Sequence, residues 1–187
     1  MTPNELIGRV QRLLLTPPSE WDRIDTEGAD VAGLYQSYIL PLAGLSALAG
    51  FIGTSIVGIG GFRIGFLTGL MQAIVSVGLA CALVYVMALI INALAPQFGA
   101  KEEFGSAFKV AAFAPTASWV GGMFMIIPAL WFMALIGGLY SLYLLFVGLP
   151  KLMKPAADKS LIYTLAVIGC MIVIGVVFSY ILRAIVF

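Results

Sequence analysis

The sequence predicts an all-α, polytopic integral membrane protein with five transmembrane helices and a short N-terminal amphipathic helix. Two observations support this fold class. Of the 187 residues, 61% are hydrophobic and only 10% are charged, whereas about 25% of residues are charged in a typical soluble domain. The apolar residues also form several runs long enough to cross a hydrocarbon core of about 30 Å, which requires about 20 residues per helix.

The N-terminal segment, residues 1–36, is predicted to be a cytosolic tail. Its first residues have the pattern of a helix start, with Thr2 as N-cap and Glu5 completing a capping box. Apolar and charged residues then recur with helical spacing, which predicts an amphipathic interfacial helix. This helix would lie either on the membrane surface or against the protein's own cytosolic ends. The acidic stretch from Glu20 to Asp30 is interpreted as a solvated collar, with partner docking as the alternative.

Residues 37–187 are predicted to form the transmembrane domain. The first span runs from about Tyr38 to Gly60. The second, from about Ile64 to Ala95, is longer than one perpendicular helix needs. Residues 97–109 are expected to form a water-facing loop or a short interfacial helix, because they include four charged side chains: Lys101, Glu102, Glu103 and Lys109.

The remaining spans are expected at about 110–127, 129–149 and 161–187. The third and fourth meet at Pro128 without an intervening charge, which predicts a tight helical hairpin. Pro115 lies one turn into the third span, where it should free a backbone carbonyl that Thr116, Ser118 or a neighbouring helix must satisfy. A polar loop is expected from Pro150 to Ser160.

The distribution of basic residues predicts the orientation. Eight of the ten Lys and Arg residues belong to the N-terminal tail and to the loops after spans two and four. The other side has only Arg63 and Arg183, the latter near the far interface. Because basic residues accumulate on the cytoplasmic side, we expect a multi-pass protein of the cell (inner) membrane. Its N-terminus would be cytoplasmic and its C-terminus outside.

Small residues recur at four-residue spacing at the start of the second span, at Gly61, Gly65 and Gly69. Such a helix-packing stripe lets two helices approach closely in lipid. Packing within the chain and dimerisation through the stripe are both consistent with it.

Few polar side chains occur inside the spans, and no Asp, Glu, Lys or Arg lies near the centre of any span. We treat five as a candidate polar intramembrane site: Gln72, Ser76, Asn92, Thr116 and Ser118. They would either line a small cavity or form interhelical hydrogen bonds. A proton-coupled pump is disfavoured, since such proteins usually place an ionisable residue at depth.

Several kinds of chemistry are excluded or disfavoured by composition. The chain has no histidine, which rules out histidine-based triads and zinc proteases of the HExxH type. The segment from Gly58 to Arg63 lacks the third glycine of a dinucleotide motif. The formal net charge of +1 argues against a nucleic-acid partner. We therefore expect no catalytic residues, no metal and no cofactor.

Four segments carry a family resemblance: residues 12–24, 38–43, 113–116 and 143–153. Together they resemble a prokaryotic member of the Yip1 domain family over nearly the whole chain. The family-like motif positions are Trp21, Tyr38, Pro41, Pro115 and Pro150. The resemblance implies five spans and no known catalytic activity. Eukaryotic relatives associate with prenylated Rab GTPases and with one another, but a prokaryotic cell would lack prenylated Rabs.

The leading functional hypothesis is a non-enzymatic membrane scaffold or adaptor that acts through helix packing, self-association and a cytosolic face. Its expected partners are membrane lipids, a second copy in a homodimer and a cytosolic protein. The alternative is a small-solute or lipid-binding transporter or channel with a site near spans two and three. A lipid-modifying enzyme would have only interfacial groups available, namely Lys101, Glu102, Glu103 and Asp158.

Overall fold

The computed structural model describes residues 1–58 and 62–186, with side chains up to Val176. Its secondary-structure elements in this part of the chain are all helices, as the sequence predicts. They are α1 Pro3–Leu15, α2 Pro17–Thr26, α3 Val31–Val57, α4 Phe66–Leu94, α5 Phe104–Phe113, α6 Thr116–Met123, α7 Trp131–Met153 and α8 Ser160–Val186. A 3₁₀ turn, Ala95–Phe98, extends α4.

Within the part of the chain described with side chains, three helical segments are long and apolar enough to cross a membrane: Val31–Val57, Phe66–Phe98 and Pro128–Met153. The helix that contains the first predicted span begins at Val31, seven residues before the span start expected at about Tyr38. Asp30 caps this end by accepting a hydrogen bond from the Gly33 N–H at 2.9 Å. Gly60, the predicted end of the span, lies outside the described residues.

Helix α3 contains two π-helical segments, Tyr35–Ile39 and Ile52–Val57. The first directly precedes Leu40 and Pro41. In a regular α-helix the Pro41 ring would clash with the Ser37 carbonyl and could not donate to it. The wider turn, closed by the Leu40 N–H on the Tyr35 carbonyl, accommodates the proline without ending the helix.

The third predicted span consists of two shorter helices, α5 and α6, separated at Ala114 and Pro115. Helix α5 begins at Phe104, and every residue from Ser106 to Phe113 is buried. The prediction that residues 97–109 form a water-facing loop or a short interfacial helix is therefore wrong from Ser106 onward. Helix α5 packs against α4 and α7 and lies in the core of the protein.

Helices α6 and α7 form the predicted tight hairpin around Pro128. Gly121 and Gly137 face each other where the two helices meet, and a Cβ on Gly137 would lie 3.1 Å from the Gly121 Cα. Helix α7 continues through Pro150 to Met153, so the predicted loop at Pro150 begins later, at Lys154. Lys154 has a left-handed φ of 48° and ends the helix.

Helix α8 packs on the end of α4 through Tyr163. The Tyr163 side chain is fully buried, its hydroxyl donates to the Ile91 carbonyl, and its ring stacks on Phe98 with centroids 4.8 Å apart. The described apolar part of this helix is Ser160–Val176. Arg183, which we expect near the far interface, lies outside the described side chains.

Candidate functional site

Helices α1 and α2 fold into an N-terminal helical hairpin that packs on one end of the bundle. The predicted capping box is present, since the Thr2 N–H donates to Glu5 Oε2 at 2.6 Å and the Glu5 N–H donates to Thr2 Oγ1 at 3.4 Å. Hydrogen bonding to Thr2 lowers the pKa of Glu5. Leu13 is fully buried, and the Tyr140 hydroxyl donates to the Leu14 carbonyl at 2.7 Å. Helix α1 therefore packs against the protein itself.

Trp21 fixes helix α2 to the bundle. Its indole ring is fully buried and meets Phe113 edge to face, with centroids 6.3 Å apart. The Tyr38 ring contacts the same phenylalanine at 4.7 Å. Gly148 of α7 lies directly beside the indole, where a Cβ would fall 2.7 Å from Trp21 Cδ2. The absence of a side chain at Gly148 thus makes room for Trp21.

A buried pair of hydroxyls lies next to this aromatic cluster, at the break between α5 and α6. Thr116 Oγ1 is 2.7 Å from the Tyr38 hydroxyl and donates to the Phe113 carbonyl at 2.5 Å. Because the single threonine proton goes to the carbonyl, Tyr38 must donate to Thr116. Thr116 thus binds a backbone carbonyl at the helix break, but it is that of Phe113 and not that of Ala111, the carbonyl that lacks the N–H of Pro115. Trp21, Tyr38 and Thr116 are brought together around Phe113.

Three lysines bind α2 and the residue that follows it. Lys109 Nζ donates to the Ile24 and Glu27 carbonyls, at 2.9 Å each, although Lys109 is only 4% exposed. A cation at a helix C-terminus is stabilised by the carbonyls that lack partners there. The expectation that Lys109 lies in a water-facing loop or a short interfacial helix is wrong, because its buried ammonium group caps α2.

The other two lysines come from the end of α7. Lys151 forms an ion pair with Asp22 and donates to the Pro18 carbonyl at 2.7 Å. Lys154 Nζ lies 2.8 Å from Asp25 Oδ2, and this hydrogen bond raises the pKa of Lys154. We call the surface formed by the N-terminal hairpin with Lys109, Lys151 and Lys154 the hairpin end.

Charged side chains also join α1 to α2. Arg12 donates through Nε and Nη2 to Glu20, at 2.6 and 3.2 Å, and Arg9 Nη2 donates to Glu27 at 2.6 Å. The Arg9 guanidinium also lies over the Phe113 ring, with its carbon 5.2 Å from the centroid. Glu20 is 2% exposed, so the interpretation of the acidic stretch as a solvated collar is wrong for this residue.

The five residues of the predicted polar intramembrane site do not form one site. Gln72 and Ser76 line a groove of about 340 Å³ between α3 and α4. Ser118 lines a different cavity, of about 280 Å³, beside α7 and α8, and its N–H donates to Ser141 Oγ at 2.9 Å. Thr116 belongs to the buried hydroxyl pair. Asn92 is half-buried near the end of α4.

The small-residue stripe contributes to packing within the chain. A Cβ on Gly69 would lie 3.1 Å from Phe51 Cδ2 and closer to Ser55, so this glycine allows α3 and α4 to approach. A Cβ on Gly65 would have only Thr68 within 4 Å, at 3.8 Å. Gly61 lies outside the described residues.

Two residues that contact the N-terminal hairpin, Gly148 and Lys109, were not predicted from the sequence to do so. Gly148 lies within the quoted segment 143–153, but nothing in one sequence indicates that an indole occupies the space beside it. Lys109 is four residues before Phe113 and therefore shares a helix face with it. That spacing would have indicated a cation next to the aromatic cluster, provided that residues 104–109 had been assigned to a helix.

Comparisons with known proteins identify the family of this chain. The family model of the Yip1 domain matches residues 12–179, which begin within α1 and include α2, Lys109, Lys151 and Lys154. The chain is 25% identical to inner membrane protein YohC of Escherichia coli K12 over 166 residues, covering 84% of this chain and 85% of that protein. YohC of Escherichia coli O6:H1 gives the same values. No solved structure matches the chain significantly. The protein belongs to the Yip1 domain family.

Proposed function

We propose that this Yip1 domain protein is a non-enzymatic membrane scaffold or adaptor whose partner-binding face is the hairpin end. The proposal includes five spans, an N-terminus in the cytoplasm and a C-terminus outside. The broken helix formed by α5 and α6 would be the third span and α8 the fifth. The hairpin end would then face the cytoplasm together with most of the basic residues, in keeping with the charge distribution.

The observation that carries this proposal is the fixation of the N-terminal hairpin on separate parts of the bundle. Lys109 of α5, Gly148 and Lys151 of α7, and Lys154 after α7 all contact α2. A surface that is ordered before binding loses less conformational entropy when a partner binds. A tail of the same composition without these contacts would have to be ordered by its partner.

Cross-linking in living cells tests the partner-binding face. A photoreactive amino acid at the exposed position Gln11 should give adducts larger than the chain. The same group at Phe62, which is 86% exposed and far along the chain from the hairpin, should not give these adducts. Identical adduct patterns at both positions, or none at Gln11, would contradict a partner-binding hairpin end.

Self-association is the second part of the scaffold proposal, and we assign it to the groove between α3 and α4. Gln72 is exposed at this groove, and an amide facing hydrocarbon gains from a partner that completes its hydrogen bonds. In a symmetric dimer the Gln72 amides of two copies could pair with each other. Small neighbours such as Ala47 and Gly50 line the same groove and would permit close approach.

Disulfide formation in membranes tests this contact. In a variant with Cys81 and Cys170 replaced by alanine, Gln72→Cys should form a cross-linked dimer upon oxidation. The matched control is Leu139→Cys, because Leu139 is 61% exposed on α7, away from the groove. Equal dimer yields from the two variants would show random collision and refute the assignment.

A lipid-binding protein is the second candidate function, and one observation favours it. Two cavities, of about 280 and 240 Å³, share Met87, Pro115 and Met171 beside the break between α5 and α6. Their walls are mainly apolar, which suits an acyl chain. Filling the first cavity with Ser141→Leu should reduce the lipid that copurifies with the protein, as measured by native mass spectrometry. Unchanged lipid content would count against this candidate.

A further inference from the structure

The N-terminal hairpin contains a cavity whose walls are mainly cationic. It has a volume of about 360 Å³ and is lined by Met1, Glu5, Arg9, Arg12 and Arg23. Three guanidinium groups therefore face one carboxylate across this space. This cavity, which we call the arginine pocket, lies within the hairpin end, but neither the scaffold proposal nor the lipid-binding alternative depends on a ligand in it.

The carboxylates of the hairpin accept hydrogen bonds from only some of the guanidinium N–H groups. A guanidinium has five N–H groups, and Arg12 uses Nε and Nη2 on Glu20. Arg9 uses Nη2 on Glu27. Its buried Nη1 lies 3.7 Å from Glu20 Oε1 and makes no hydrogen bond within the described part of the chain. Arg23 Nε lies 3.6 Å from Glu27, which is too far for a good hydrogen bond.

The negative groups are placed so that the pocket wall remains positive. Two carboxylates that pair with these arginines do not line the pocket. Glu20, which is 2% exposed, pairs with Arg9 and Arg12, and Glu27 pairs with Arg9 and Arg23. Glu5 does line it, but the Thr2 N–H donates to its Oε2 at the helix start. The wall therefore has an excess of cationic donors over acceptors.

From this geometry we infer that the arginine pocket binds a phosphate group. Guanidinium groups present paired N–H donors that match the oxygens of phosphate, and charge-assisted bonds of this kind are the stronger ones in proteins. A cavity of about 360 Å³ has room for a phosphate and part of the molecule that bears it. The phosphate belongs either to a phospholipid headgroup or to a soluble phosphorylated compound.

Two substitutions with opposite expected effects test the site. Arg23→Gln should weaken phosphate binding about tenfold, because one charge-assisted contact is lost. Glu5→Gln should tighten binding, because it removes the negative charge from the wall while glutamine can still complete the capping box. Both side chains are exposed, so neither change should unfold the hairpin. Lys101→Gln, at an exposed lysine outside the pocket, controls for the loss of one positive charge.

The measurements use the full chain and two probes. Inorganic phosphate is titrated calorimetrically against protein in phosphatidylcholine nanodiscs, and phosphatidylglycerol binding is compared with phosphatidylcholine binding by native mass spectrometry. If inorganic phosphate binds and the variants differ as expected, the phosphate belongs to a soluble compound. If phosphatidylglycerol binds selectively and the variants differ in the same way, it belongs to a phospholipid headgroup. The inference is overturned if neither probe binds, or if Arg23→Gln and Lys101→Gln behave alike.

Discussion

Adding one methyl group at Gly148 should weaken the docking of the N-terminal hairpin. In Gly148→Ala, the new Cβ would lie 2.7 Å from Trp21 Cδ2 and closer still to two further indole atoms. Carbon atoms pack best at about 3.5–4.0 Å, so the indole and the helix must separate by about 1 Å. Trp21 is fully buried against Phe113, which leaves the ring little freedom to move.

The expected magnitude follows from this overpacking. Extra methyl groups in a well-packed core typically cost about 1–3 kcal/mol. Replacing glycine by alanine inside a helix also stabilises the helix by up to about 1 kcal/mol. The control variant must therefore contain the same substitution at a position without the overpacking. Gly138→Ala provides it, because Gly138 lies in the same helix and its Cβ would have only Ser118 Oγ at 4.0 Å. The difference between the two variants should therefore be about 1–3 kcal/mol.

Hydrogen exchange followed by mass spectrometry measures this difference directly. An opening free energy lowered by about 1–3 kcal/mol corresponds to about 5- to 150-fold faster exchange. Peptides covering α2 should show this increase in Gly148→Ala relative to Gly138→Ala, whereas peptides from α4 should not. Equal protection of α2 in the two variants would refute the conclusion that Trp21 needs the space at Gly148.

Two further predictions concern buried polar contacts. Lys109→Met should speed exchange in α2, since hydrogen bonds to a charged group contribute about 1.5–3 kcal/mol, whereas Lys101→Met at an exposed site should leave it unchanged. Thr116→Val should destabilise the protein more than Tyr38→Phe in detergent unfolding titrations, because it leaves both the Tyr38 hydroxyl and a backbone carbonyl without their bonds. A double-mutant cycle should give a coupling of about 0.6–1.5 kcal/mol, and a coupling of zero would contradict the bond.

Local patterns in the sequence predicted those features that depend on neighbouring residues. The capping box between Thr2 and Glu5 is confirmed, because both partners lie within one helical turn. Gln72 and Ser76, four residues apart, line the same groove, as their helical spacing requires. The hairpin at Pro128 is also confirmed by α6 and α7.

The features that were missed depend on contacts between residues far apart in the chain. Lys109 ends the segment that was expected to face water or lie at the interface, but its ammonium group binds carbonyls more than 80 residues away. Glu20 resembles its acidic neighbours in the sequence, and its burial depends on two arginines of another helix. Hydrophobic periodicity cannot identify such partners, because the same charged residue type can either form a buried ion pair or remain solvated.

Zero-length cross-linking of the unmodified protein tests most directly whether the N-terminal hairpin is docked on the bundle. Carbodiimide treatment of native membranes joins a carboxylate to an amine only when the two are in contact. We predict amide links between Asp22 and Lys151 and between Asp25 and Lys154, the two ion pairs that connect α2 to the end of α7. Activation of both aspartates without either link, detected by mass spectrometry of the digested protein, would contradict the docked hairpin.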